Sequence, residues 1–195
     1  MTVQALIGPN AATQLYAAVT HKAGNAMANR LFREADLAAW IDDPPTARVD
    51  EALVARLHQT MRHIMPPAAA TALAIDAGQR TAGYIITNRM PGPIKALMQI
   101  MPKGLAARML LAGIQQNAWT FVGSGSFKCR YGRPIHVAIT NNPVVRGEVA
   151  SRPICDWHRA VFAGLFNHFL NSAIDVQETS CCAMGARSCN FLIHH

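Results

Sequence analysis

Apolar residues recur every three or four positions from residue 11 to about residue 116, and beyond Trp119 they begin to alternate. The first period marks helices with one buried face, and the second marks strands with one buried face. Asn10 is placed to cap a helix over 11–23 that Gly24 closes. A second helical piece over 26–36 carries Met27, Leu31 and Phe32 on one side. Asp42-Asp43-Pro44-Pro45 breaks the chain. Asp50 then opens an amphipathic helix with Leu53, Leu57, Met61 and Ile64 on its stripe, ended by Pro66-Pro67. Residues 68–88 read as another helix, in which Gly78 and Gly83 let a second backbone come close. After Pro91-Gly92-Pro93, the positions Ile94, Leu97, Met98 and Met101 form one helical stripe. Pro102-Lys103-Gly104 interrupts it, and 105–116 resumes it with Met109, Leu110 and Leu111.

The extended part follows. Residues 119–122 and 126–131 read as extended, separated by Gly123-Ser124-Gly125. Ile135, Val137 and Ile139 alternate with His136, Ala138 and Thr140, as a half-buried strand does. Asn141-Asn142-Pro143 turns the chain, 155–171 returns to helix, and two strands follow around a small-residue corner at Ala183, Gly185 and Ala186. The expected class is α+β: N-terminal helices packed on a small antiparallel sheet, with one long helix between strands.

At 195 residues the chain can bury one sizeable core, and 51% hydrophobic with 15% charged residues describes a packed rather than a disordered protein. The net charge of +7 is uneven: nine basic residues and no acidic one lie between Asp76 and Glu148. Such a field attracts nucleic acid, acidic headgroups, an acidic partner or a carboxylate ligand, although a solvated basic face needs no partner at all. The basic residues are dispersed without aromatic interleaving, so nucleic acid is not expected. The opening Met1-Thr2-Val3-Gln4-Ala5-Leu6 has no basic region of a signal peptide. The longest apolar run, 68–75, falls far short of the roughly 20 residues of a spanning helix. Five cysteines, two of them adjacent, do not make a secreted disulfide framework. A cytoplasmic protein with reduced thiols is expected, with contact to a membrane surface left open.

Four of those cysteines fall in the last forty-one residues. Glu178 precedes Cys181 by three positions and Cys189 follows eight later, a spacing that can collect a metal. A lone buried cysteine is more often a small hydrophobe, which is the reading for Cys129 and Cys182. Cys155 with Trp157, a helix, Glu178-x-x-Cys181, Gly185 and Cys189-x-Phe191 together resemble the 4-vinyl-reductase domain family. Its superfamily also takes in phenol-sensing input domains of transcription activators, a vesicle-tethering subunit that holds a fatty acyl chain, and haem-based nitric-oxide sensors.

The resemblance implies an α+β fold enclosing an apolar ligand pocket, with 1–66 as a helical extension and 67–195 as the ligand-binding domain of one continuous core. It implies a structural zinc held by Cys155, Glu178, Cys181 and Cys189, whose excess negative charge Arg152 or Arg187 would offset. It also implies a magnesium tetrapyrrole of bacteriochlorophyll biosynthesis as ligand, such as divinyl protochlorophyllide. Met98, Met101, Met109 and Trp119 would line its seat, and Lys95, Lys103, Lys128 and Arg130 would rim it for the acidic edge. By spacing alone the methionines read as ordinary core. Among His58, His63, His136, His158 and His168, the pair on the long helix, His158 and His168, are the first candidates for an axial ligand; the terminal His194-His195 pair carries no weight.

Three functions follow. One is a carrier that binds the magnesium porphyrin or protochlorophyllide and delivers it to pathway enzymes. Another is the vinyl reductase of the family name, or a subunit of it. The third is a sensing module for a small apolar ligand. The sequence holds no G-x-G-x-x-G opening a helix and no spare cysteine array for an iron–sulfur cluster, which favours the carrier. A homodimer through the N-terminal helices is expected from their surplus of apolar residues.

Overall fold

The computed structural model describes residues 5–195; the first four residues of the leader reading lie outside them. The chain opens on β1 (Leu6–Ile7), which pairs antiparallel with β2 (Val49–Asp50), a ribbon too short for periodicity to reveal. Between them run α1 (Asn10–Glu34) and the single turn α2 (Ala39–Asp42). Gly24 does not end a helix: at φ 83° and ψ 164° it kinks α1, and the second piece continues from it. Pro9, not Asn10, stands at the cap position, without a capping side chain.

α3 (Glu51–Ile64) begins as its sequence requires, with the Asp50 carboxylate accepting from the Ala52 N–H at 2.8 Å. α4 (Pro67–Tyr84) starts on a proline in its first turn and runs into a π-helical turn at Ile85–Arg89. Then come α5 (Gly92–Ile100) and α6 (Lys103–Gln116). Trp119–Val122, expected to be extended, is a helical turn, α7, closed by Phe121 and Val122 N–H groups on the Ala118 carbonyl. β3 (Ser126–Arg130), β4 (Ile135–Thr140), α8 (Asp156–Leu170), β5 (Asp175–Ser180) and β6 (Ser188–His194) complete the chain.

The four longer strands make one antiparallel sheet in the order β3-β4-β6-β5. Ile135, Val137 and Ile139 face inward with Cys189, Phe191 and Ile193, as their alternation predicts. α8 lies between this sheet and α4, and it buries residues around most of its girdle, including Trp157, His158, Phe162, Leu165, Phe166 and Phe169. Its approach to α4 depends on Gly78, where a Cβ would collide with the Trp157 carbonyl and sit 2.7 Å from the Ala160 Cβ. Gly83 has open space around it and brings no backbone near.

Buried apolar residues from Ile7 to Ile193 form one cluster. The apolar surplus of α1, α3 and α4 is absorbed inside the chain, where Leu15, Leu31, Phe32, Leu57 and Met61 are buried, so it supplies no exposed face for a dimer. Among the described residues no helix is long and apolar enough to cross a membrane.

Candidate metal centre

α8 and the β5–β6 connection bring four donors together. Cys155 stands at the N-terminus of α8, Cys189 near the start of β6, and Cys181 just past β5. Residues three apart on a strand face opposite ways, yet Glu178 and Cys181 reach one point. A register shift between Glu178 and Ser180 supplies the missing residue. The chain then turns back through Cys182–Met184, and Gly185 at φ 82° takes the left-handed position that closes the turn.

One donor atom from each of Cys155, Glu178, Cys181 and Cys189 lies within 4.8 Å of the others. The sulfurs are 3.3 Å (Cys155–Cys189), 3.6 Å (Cys155–Cys181) and 3.9 Å (Cys181–Cys189) apart. A tetrahedral zinc with sulfur at about 2.3 Å requires an edge of about 3.8 Å, so the thiols stand at metal-binding separation without rearrangement. Glu178 Oε2 accepts the Cys155 N–H at 2.9 Å, while its Oε1 is buried without a hydrogen-bond partner. An orphaned carboxylate oxygen beside three sulfurs fits a dication.

Protonation fits it too. Burial pushes the Cys155 thiol well above its ordinary range and raises the Glu178 carboxyl to about 8. Thiol donation from Cys155 and Cys189 holds Cys181 down as a thiolate; Cys189 is drawn down by Cys155 but raised overall by donating to Cys181 and by burial. Protons thus keep four buried acids from ionising together, and a dication can replace them.

The expected arginines do not compensate the site. Arg152 donates to the Thr71 hydroxyl at 3.2 Å, and Arg187 is exposed and makes no hydrogen bond or ion pair among the described residues. Neutral N–H groups serve instead: Cys182 N–H reaches Cys189 Sγ at 3.3 Å, and the Asn142 amide reaches Cys155 Sγ at 3.4 Å. Asn142 is buried and also stands 3.4 Å from His158 Nδ1, which links the cluster to that histidine. Nothing in an Asn-Asn-Pro turn signals a buried side chain, and sequence reasoning missed it.

His158 is 1% exposed, and its Nε2 has no partner. Its ring lies 4.7 Å from Trp157, 5.8 Å from Phe121, 6.2 Å from Phe162 and 6.4 Å from Phe191, centre to centre. Phe127 joins this wall at 5.6 Å from Phe121. Burial holds the imidazole neutral, with a pKa of about 3. Met98 is buried and Met101 and Met109 are half-buried against the core, on the α5 and α6 helices that contact α8.

The other predicted residues lie apart. His168 is exposed near the C-terminal end of α8. Trp119 is 52% exposed, with Arg48 over its ring at 5.3 Å. Lys128 and Arg130 alternate with inward-facing Phe127 and Cys129, so they point from the outer sheet face. There they line a surface concavity of ≈ 520 Å³ with His136 and Asn190. Lys95 is half-buried on α5 and Lys103 exposed at the start of α6.

The family model of the vinyl-4-reductase (V-4-R) domain matches residues 135–195, the stretch that contains β4, α8, β5, β6 and all four donors. Over 185 residues the chain is 38% identical to the bacteriochlorophyll synthase 23 kDa chain of Cereibacter sphaeroides, spanning 95% of this chain and 88% of that one. Over 188 residues it is 37% identical to the protein of the same name from Rhodobacter capsulatus, with 96% and 86% spanned. Among solved structures, the Fe(II) unliganded H-NOX protein from K. algicida superimposes with a TM-score of 0.56 at 12% identity over 96% of both chains. The phenol-responsive sensory domain of the transcription activator PoxR gives 0.54 at 14% identity over 76% and 77%. At those identities the solved structures speak for the fold alone. The near full-length identity and the domain match speak for kinship: this chain belongs to the family of the bacteriochlorophyll synthase 23 kDa chains and carries a vinyl-4-reductase domain at residues 135–195.

Proposed function

We propose that the chain is a carrier of bacteriochlorophyll biosynthesis, which binds a magnesium tetrapyrrole intermediate such as divinyl protochlorophyllide and delivers it to pathway enzymes. The place in the pathway rests on the relatives' name. The binding role rests on His158, a fully buried neutral imidazole whose Nε2 has no partner and faces an aromatic wall. A buried polar nitrogen left unmatched is unfavourable unless something else uses it, and a five-coordinate magnesium would take one such nitrogen. Phe121 and Phe127 would move aside to admit the macrocycle between α7, β3 and α8. Ligation through Nε2 leaves the proton on Nδ1, and a flip of the Asn142 amide turns its oxygen to accept it. Lys95 and Lys103 are the cations on the α5–α6 side, whereas Lys128 and Arg130 belong to the opposite face.

Zinc at Cys155, Glu178, Cys181 and Cys189 is proposed as a structural clasp. Three sulfurs and a carboxylate complete a tetrahedral shell and leave no position for substrate. The clasp ties the first turn of α8 to β5 and β6, and through Asn142 it steadies the His158 ring. Absorbance of purified protein mixed with divinyl protochlorophyllide, with and without NADPH, tests the reading. A shifted pigment band with no conversion to the ethyl form supports the carrier. Turnover by the chain alone would establish the reductase instead, and no shift with any magnesium porphyrin would overturn both.

A further inference from the structure

α5 and α6 form a proline-bounded hairpin whose apolar stripe is largely uncovered. Ile94 is 38% exposed, Leu97 48%, Ile100 83% and Leu105 52%, while Met98 alone of the α5 residues is buried. These are four of the seven exposed large hydrophobics among the described residues, gathered within twelve positions, so they form a patch rather than scatter. The charges interleaved with them are of one sign. Lys95, Lys103 and Arg108 carry the only charges from position 90 to 127, and no acidic residue occurs between Asp76 and Glu148. Arg108 lies over the Tyr131 ring at 4.5 Å, at the base of the hairpin. Neither surface concavity includes any α5 residue, so the patch offers no groove to a peptide or a small molecule.

A projecting apolar tip ringed by cations matches a flat anionic surface with an apolar interior. We infer that the α5–α6 hairpin docks on an anionic phospholipid bilayer. Ile94, Leu97, Ile100 and Leu105 enter the acyl boundary, and Lys95, Lys103 and Arg108 sit at the phosphates. The chain lies on the membrane through this hairpin and does not span it. The inference is independent of the pigment reading, because no residue of the His158 wall takes part.

Flotation of the full chain with vesicles of phosphatidylcholine alone, or of equal parts phosphatidylcholine and phosphatidylglycerol, tests it. Each cation near an anionic surface is worth about a fivefold gain in partitioning, so the three together predict about a hundredfold preference for the anionic vesicles, lost in high salt. Leu97→Glu/Ile100→Glu removes two inserted side chains and should lower binding by about a hundredfold or more. Both positions are exposed, so the unfolding midpoint should hold. Lys103→Glu provides a second variant with the core untouched, expected to weaken binding by about tenfold or more. Absence of flotation, equal binding to both lipids, or binding undiminished in these variants would overturn the inference. So would a dimer in sedimentation that the double variant dissolves without any flotation, which assigns the face to a second copy of the chain.

Discussion

Replacing Glu178 with glutamine separates the metal from the fold. The amide keeps the size of the side chain and an oxygen for the Cys155 N–H, but it cannot become an anion. In the metal-free protein burial raises this carboxyl to about 8, so near neutral pH it is already mostly protonated, and glutamine resembles that form. The sign of the linkage follows. A carboxyl whose folded pKa lies above the unfolded value favours folding fully below about pH 4.5, and that contribution is lost as pH rises through about 8. Metal-free Glu178→Gln should therefore match the metal-free parent at low pH and exceed it slightly above pH 8. With zinc the order reverses. Loss of a direct ligand should weaken zinc by at least about a hundredfold, the upper end of what outer contacts alone contribute. At saturating zinc that is about 2.7 kcal/mol of stability, or roughly 5–10 °C in unfolding midpoint for a chain of this size. Thermal unfolding of both proteins, with zinc and with chelator, measures the double difference. If chelation lowers the parent's midpoint no more than the variant's, Glu178 is not a ligand. If the variant is equally crippled in chelator, the carboxyl serves packing alone.

Further outcomes follow from the same contacts. Gly78→Ala and Gly83→Ala sit on one helix but should act oppositely. The first drives a methyl into α8 and should cost about 1–3 kcal/mol by denaturant unfolding, and the second should gain up to about 1 kcal/mol. Cys129→Ser and Cys182→Ser should each retain one equivalent of zinc by elemental analysis, because neither thiol is a member of the four-donor cluster, whereas Cys189→Ser should not. Burial holds His58 neutral, with a pKa of about 3. The unfolded chain then binds the extra proton first, so stability present above about pH 6.5 is lost as pH falls toward about 3, at about 1.4 kcal/mol per unit. Denaturant unfolding at several pH values should show that slope reduced in His58→Gln.

The metal cluster was legible because its donors are fixed by short-range rules: a strand, a tight glycine-closed turn, a returning strand and the first turn of a helix. α3 was legible for the same reason, since Asp50 caps it and its stripe repeats cleanly. α7 was not. Trp119, Phe121 and Val122 favour strands, but the Gly8 N–H donates to the Thr120 carbonyl at 2.7 Å, and that contact with the β1 end of the chain cannot be read locally. Lys128 and Arg130 were assigned to a pocket rim although the alternation with Phe127 and Cys129 already set them on the outer face; the signal was present in the period of two. The stripe on α5 shows the converse limit. Periodicity reports that a helix has an apolar side, not what covers it, and here Met98 alone is covered by the chain. The role of Asn142 depends on a side chain reaching α8 across the fold, and no local pattern encodes that.

The central claim is that His158 holds a magnesium tetrapyrrole, while the cysteine cluster holds the fold. Its most direct test is a paired absorbance titration of the zinc-loaded protein with magnesium protoporphyrin and with metal-free protoporphyrin. Axial ligation predicts tighter binding of the magnesium form, with the advantage abolished in His158→Gln and zinc content unchanged. Equal affinity for the two porphyrins, or an advantage that survives His158→Gln, would contradict it.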